Sequence, residues 1–474
     1  MSTTAKQANL PSARRDDDQR VEVLVIGGRC AGAPLAAHLA RAGVSVLVAD
    51  RASFPSDTLS THVFQGGAIA SLDRLGVLDE VLATGAPPVA RGRVLFANGD
   101  DRLEAEVPMP EPGPGLPPML CVRRVALDEI LHRAAAAAGA QTLDGWCVKE
   151  LVRRDGVVAG ARLKARDGDG RTVLADLVVG ADGRQSTVAR DVGARDYAVL
   201  ATERFGYFGY YEDVPTTDPP VIDIVRDDRL YGFGVPADAG LYLACVMAPA
   251  ADYKPFMADV EAGWRREIGR LPRVGEIVAA GRLVGRPRGL RPVETFLREA
   301  TGPGWVLVGD AGHFKDPAPG QGIADALRQA EQLAETVAGG LADGTLERRL
   351  ADWWRWRDDD AAPRHTWAHS FGSTGPPPHV VIQAQRDILS GPDAAQRFWG
   401  PSMQRISPPA VLGPMTMVRA AIHGTLRGRF SPRQALGDLA GLAVRDARYR
   451  RALRTRASTG AGVRRTASPQ EART

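Results

Sequence analysis

The chain has 474 residues, of which 44% are hydrophobic and 24% charged, with a formal net charge of +4 and a sequence pI of about 9.0. That length exceeds one domain of roughly 100–200 residues, so two interleaved domains or one with a large insertion are expected; no apolar run is long enough to span a bilayer. The modest charge, much of it in the tails, speaks against a nucleic-acid partner, and Cys30, Cys121, Cys147 and Cys245 form no CxxC pair, which argues against a zinc site or disulfide framework and fits a reducing, cytoplasmic setting.

Residues 1–20 are polar and read as a disordered leader. Residues 21–26 (VEVLVI) form a short buried strand, Gly27-Gly28-Arg29-Cys30-Ala31-Gly32 turns into a helix reaching about Ala42, and residues 44–49 form a second strand ending on Asp50. This is a nucleotide-binding βαβ pattern. Small residues let the backbone approach a pyrophosphate, the helix start offers N–H donors, and an acid about 20 residues on accepts from ribose hydroxyls. The middle glycine of G-x-G-x-x-G is Arg29, which keeps its N–H and has a guanidinium able to pair with phosphate.

A polar loop at 57–67 (DTLSTHVFQGG) leads into a helix carrying Ile69, Leu72, Leu75 and Leu78. Alternation over 93–107 predicts a hairpin turning at Asn98-Gly99, and prolines and glycines at 108–118 mark a surface loop. A helix follows over 123–138, then strands near 147–152, 157–164 and 171–175. Residues 177–179 form a further short strand ending in Gly180-Ala181-Asp182-Gly183. From 205 to 246 the chain is β-rich and aromatic, with Phe205, Tyr207 and Tyr211 on one face of a strand and Phe208 and Tyr210 on the other. A helix at 261–271 precedes a third strand-to-carboxylate turn: residues 305–308 stop at Gly309-Asp310, a loop carries Pro317 and Pro319, and Gly320-Gln321-Gly322 opens an amphipathic helix. Residues 341–361 continue helical, 363–380 are broken by proline and glycine, and helical stretches are expected near 381–390 and 434–454.

Taken in order, GGRCAG with Asp50-Arg51, GADGRQSTVAR at 180–190 and GDAGHFKDPAPGQG at 309–322 resemble the three fingerprints of FAD-dependent monooxygenases of the para-hydroxybenzoate hydroxylase type. The resemblance spans residues 21 to about 345. It implies an α/β fold with a Rossmann-like FAD-binding domain (21–88, 107–200 and 285–345) interleaved with a mixed β-sheet substrate domain (89–106 and 201–284). A helical C-terminal region (346–455) and a disordered tail (456–474) would complete the chain. Carried over by motif, Gly27 to Gly32 would hold the FAD pyrophosphate, Asp50 with Arg51 the adenosine ribose, and Arg124 the ribityl–phosphate region. Val148 would meet adenine, Asp182 would serve FAD and a passing NADH or NADPH, and Asp310 would bind the ribityl hydroxyls. Pro317 would lie near the flavin face and Gly320, Gly322 and Ile323 near its pyrimidine edge. Thr61 and His62 fall in the loop bordering the ring. Two departures mark a side branch: Ala324 stands where an asparagine is common, and Gln329 where an acid is.

The chemistry so implied is reduction of FAD by NAD(P)H, addition of O2 at the flavin C4a position, and transfer of one oxygen to an apolar or aromatic small molecule. His62 is the one candidate acid/base, beside the plainer reading of a structural histidine. His365 and His369 share i, i+4 spacing but lack the Glu of H-E-x-x-H, so no metal site is expected. A halogenase would carry W-x-W-x-I-P where this chain has Tyr231-Gly232-Phe233-Gly234-Val235-Pro236. A reductase of geranylgeranyl-reductase type, saturating double bonds without O2, and a flavin-binding protein without turnover are the remaining alternatives. The sequence carries no signal for oligomeric state.

Overall fold

The computed structural model describes residues 19–60 and 62–454. Thr61, most of the leader and the tail from residue 455 lie outside them. The first strand among the described residues is Gln19–Ile26, so Gln19 and Arg20, expected in the leader, belong to a strand.

A parallel sheet forms the centre of the fold. Its strands lie in the order Trp305–Leu307, Gly170–Gly180, Gln19–Ile26, Val46–Asp50, Gln141–Asp144, each parallel to its neighbour. Near-continuous Val, Leu, Ile and Ala in Gln19–Ile26, Val46–Asp50 and the end of Gly170–Gly180 is what burial on both faces requires, and the edge strand Gln141–Asp144 lacks it. The pieces expected at 171–175 and 177–179 are one 11-residue strand, because Asp176 faces outward and ion-pairs Arg20 without breaking the ladder. Helices Gly32–Arg41, Arg124–Ala137 and Gly322–Asp343 cover one face through Leu35, Leu39, Leu131, Leu327 and Leu333. The antiparallel meander Trp146–Arg154, Val157–Ala165 joins the other face through Leu151, Ala161 and Leu163.

A second sheet of seven strands carries the aromatic segment: Arg282–Leu290, Arg204–Glu212, Tyr242–Pro249, Tyr231–Pro236, Val221–Arg226, Arg91–Asn98, Asp101–Pro108. The expected hairpin is present but turns one residue later, at Gly99-Asp100, because Asn98 still pairs with Asp101; Gly99 takes φ +57°. Phe205, Tyr207 and Tyr211 pack under the helices that carry Phe256 and Trp264, while Phe208 joins Cys245 and Met247 on the opposite face. The two-residue period thus divides one strand between a core and a cleft wall.

Two expectations about helices fail. The helix Leu346–Phe371 runs straight through Pro363. Proline removes one hydrogen bond and costs roughly 3 kcal/mol in an exposed helix, yet here Ala361, Arg364, His365 and Ala368 are all buried and hold the segment in place. The helix from Gly66 ends at Leu75 because Gly76 adopts φ +76°, so Leu78 starts a separate turn, Leu78–Leu82.

Candidate functional site

Parallel strands end together, so Ile26, Asp50, Gly180 and Leu307 reach one edge of the sheet, where open α/β folds bind ligands. A cleft of about 1140 Å³ opens there and extends to the second sheet. Gly27, Arg29, Cys30, Ala31, Asp50, Arg51, His62, Arg124, Val148, Asp182, Asp310, Pro317, Gly320, Gly322 and Ile323 all line it. Gly28 and Gly32 lie just behind, supporting the turn.

The glycine turn tolerates no side chain where it matters. Gly27 sits at φ +103°, and a Cβ there would lie 2.5 Å from the carbonyl oxygen of Ala181; one on Gly32 would lie 1.8 Å from that of Gly27. Asp50 closes the turn from the second strand: its Oδ2 accepts from the Gly28 N–H at 2.7 Å and its Oδ1 from Ala52 at 2.8 Å.

Arg29 does not direct its guanidinium at a phosphate position. It donates to Asp128 at 2.5 Å and to Ser56, and lies over the Phe54 ring. Asp128, wholly buried, also receives both arms of Arg124 (2.8 and 2.9 Å) and the Cys30 thiol at 3.3 Å. One carboxylate therefore fixes two arginines and a cysteine at the cleft. Sequence reading missed it, although Asp128 stands four residues after Arg124 on the same helix face, a signal that was present.

Asp182 caps the short helix after the second fingerprint, accepting from Thr187 N–H at 2.6 Å, while its Oδ1 is buried without a partner. Burial raises its pKa, as it does for Asp310, where His313 and Arg124 oppose the shift. The Asp310 turn is held from behind. Gln329 accepts from Gly309 N–H at 3.1 Å and reaches His313 with its amide nitrogen at 3.1 Å, a two-way link that an acid could not make. Lys315, buried, pairs with Asp325 on the first turn of the helix Gly322–Asp343 and donates to Gln321 at 3.0 Å. Burial lowers the lysine; it pushes Asp325 upward, but Lys315 and His313 outweigh it and hold that carboxyl well below its usual range. Neither Lys315 nor Asp325 was singled out from sequence.

The wall opposite comes from the second sheet: Phe208, Cys245, Met247 and Leu290. His62, at φ +56° and 1% exposed, stacks on Tyr210, points its Nε2 at the tyrosine hydroxyl and meets Phe208 edge-on. Its Nδ1 is buried without a partner, and burial lowers its pKa to about 3, so the ring is neutral at physiological pH. In the Tyr231–Pro236 strand, buried Tyr231 and Phe233 stand where W-x-W-x-I-P has its tryptophans, and the glycines between them are closely packed: a Cβ on Gly232 would meet Leu271 at 2.2 Å, and one on Gly234 the Tyr242 hydroxyl at 2.1 Å. Among the described residues no cluster could hold a metal ion, and no helix is long and apolar enough to cross a membrane.

These residues fit FAD. The unpartnered Asp182 oxygen, the half-buried Asp310 carboxyl at the cleft, the glycine cradle and a cleft that joins Val148 to Gly320 suit a long ligand with hydroxyls, phosphates and a flat ring. The comparisons agree. Menaquinone reductase of Mycolicibacterium smegmatis is 30% identical over 349 residues, covering 68% of this chain and 78% of that protein. A 6-methylpretetramide 4-monooxygenase of Streptomyces rimosus is 28% identical, covering 71% and 79%. The structure of a flavin-dependent brominase superposes with a TM-score of 0.72 over 86% of this chain and all of that one; at 18% identity this speaks to the fold. The family described as FAD binding domain matches residues 20–268, more than half the chain. The chain therefore belongs to the FAD binding domain family, among FAD-dependent oxidoreductases of the class A monooxygenase type.

Proposed function

We propose that the protein is an FAD-dependent monooxygenase that uses NADH or NADPH and O2 to hydroxylate or epoxidise an apolar or aromatic small molecule. The observation that carries this reading is the apolar wall of Phe208, Met247 and Leu290 facing the Gly320–Ile323 end of the cofactor cleft. The S. rimosus relative, named a 6-methylpretetramide 4-monooxygenase, supports it.

Bound in the cleft, FAD would accept electrons from the nicotinamide and activate oxygen. The chain supplies the rest. Asp50, Arg124 and Asp310 would hold the cofactor's sugar and ribityl–phosphate portions. The N–H groups opening the helix Gly322–Asp343 would favour negative charge at the adjoining ring edge, acting strongly in a dry site, while the Lys315–Asp325 pair holds that helix start in place. Phe208, Met247 and Leu290 exclude water and accept apolar surface. Neutral His62, fixed by Tyr210, keeps Nδ1 free to exchange one hydrogen bond with a polar group on the substrate.

A second reading, an oxygen-independent reductase of double bonds, is favoured by the menaquinone reductase relative and by a digeranylgeranylglycerophospholipid reductase from Methanothermobacter thermautotrophicus, 28% identical over 71% of this chain. The readings separate on oxygen. Phenolic, polycyclic and isoprenoid quinone compounds are screened for faster flavin reduction by NADH or NADPH, and the active compound is then turned over anaerobically. The monooxygenase reading predicts no product without O2; full anaerobic turnover to a reduced product overturns it.

A further inference from the structure

Charge is unevenly placed along this chain. The whole carries +4, yet residues 414–474 hold thirteen arginines against three carboxylates, so the preceding 413 residues are net negative. The same region is apolar on its surface. Ten large hydrophobic residues are exposed among the described residues, and six of them lie between 415 and 444.

Four of the six share the helix Pro414–Leu426: Met415, Val418, Ile422 and Leu426, exposed by 67, 43, 52 and 80%. Their spacing of three, four and four residues places them on one stripe. The opposite stripe, Met417, Ala420, Ala421 and Gly424, is buried against Val380, Ala384 and Phe430. A Cβ on Gly424 would meet the Phe430 ring at 2.1 Å, so the helix is seated closely on the body and its outer stripe is held outward. A helix apolar on both faces ordinarily has something on both.

Arginines rim that stripe. Arg419 adjoins it on the helix, Arg427 and Arg429 follow its end, and Arg433 opens the next helix, Pro432–Arg454; all four are exposed. Arg419, Arg429 and Arg433 form no ion pair among the described residues, and Arg427 makes only a 3.6 Å contact with Asp387.

We propose that the helix Pro414–Leu426 docks on an anionic phospholipid surface, with Met415, Val418, Ile422 and Leu426 entering the acyl boundary and the arginines meeting lipid phosphates. Apolar insertion bounded by cations is the pattern of helices that lie in a bilayer interface. A second copy fits less well, because a twofold contact through this stripe would set the arginine rim against itself. Nucleic acid would use the arginines but leave the apolar stripe without a role.

The test uses the full-length, FAD-loaded protein and co-sedimentation with vesicles of phosphatidylcholine containing about one third phosphatidylglycerol, with pure phosphatidylcholine as control. The protein should partition onto the anionic vesicles, and salt should weaken the binding. Ile422→Ser with Leu426→Ser should lower the partition coefficient by roughly tenfold or more, as should Arg419→Glu with Arg427→Glu. Val157→Ser, at another exposed apolar position on the first sheet's hairpin, should change nothing. Flavin content and circular dichroism confirm that each variant is folded, and the charge-reversal pair carries the test if the serine pair is not. The proposal is overturned if the protein ignores anionic vesicles or if both double variants bind as well as the parent. It is equally overturned by a dimer that the serine pair dissolves while no vesicle binding is seen, or by capture of duplex DNA alone, unchanged in the serine pair.

Discussion

Asp128 is the residue on which the cofactor end of the cleft depends, since Arg29, Arg124 and Cys30 all converge on it. Asp128→Asn leaves two guanidiniums around a neutral amide, and breaking a buried pair in this way costs about 3–5 kcal/mol. Thermal unfolding should show a large drop, with FAD affinity falling in parallel; unchanged stability would mean that the arginines find other partners. Asp310→Ala has a narrower expected effect. Losing charge-assisted bonds of about 1.5–3 kcal/mol weakens FAD binding by roughly tenfold to a hundredfold, read by flavin titration, with little change in apoprotein stability. His62 gives a signed pH effect. Burial, and then the neighbouring Arg124, lower its pKa to about 3, so the unfolded chain binds a proton below about pH 6.5 that the native ring refuses until about pH 3. Stability should therefore be lost as pH falls through that window, and less so in His62→Gln.

At the scale of elements, the loop before the helix Gly322–Asp343 carries its own pH dependence. Burial raises the Asp316 carboxyl to about 7 although Arg204 pulls the other way. The folded loop then holds a proton that the unfolded chain releases near pH 4, so this contribution is complete below about pH 4 and is lost as pH rises through 7. Asp316→Asn should flatten that slope in denaturant unfolding at pH 5 and pH 8; an unchanged slope would show that the carboxyl is ionised throughout. The loop also shows what sequence can carry. Its strand, glycines and helix start were legible because each obeys a local rule of period or turn chemistry. The Lys315–Asp325 pair was not, because it joins a loop to a helix ten residues on through burial that no local pattern announces. In the C-terminal region, Pro408, Pro414 and Pro432 each stand at the start of a helix, where the missing N–H costs nothing.

For the whole molecule, three carboxylate turns far apart in sequence meet because parallel strands end at one edge. Asp50, Asp182 and Asp310 were therefore readable as a group before any coordinates. The substrate wall was only half readable. Alternation separated Phe208 and Tyr210 from Phe205 and Tyr207, but which face meets the cleft is decided by how the second sheet packs on the first, a long-range fact. His62 next to Tyr210, 148 residues away, is of the same kind. The composite cleft, on the proposed reading, inserts oxygen. Turnover under isotopically labelled dioxygen, with product mass measured for the compound that best accelerates flavin reduction, tests it most directly. One labelled oxygen atom per product molecule is the predicted result, and a product carrying two added hydrogens and no label would contradict it.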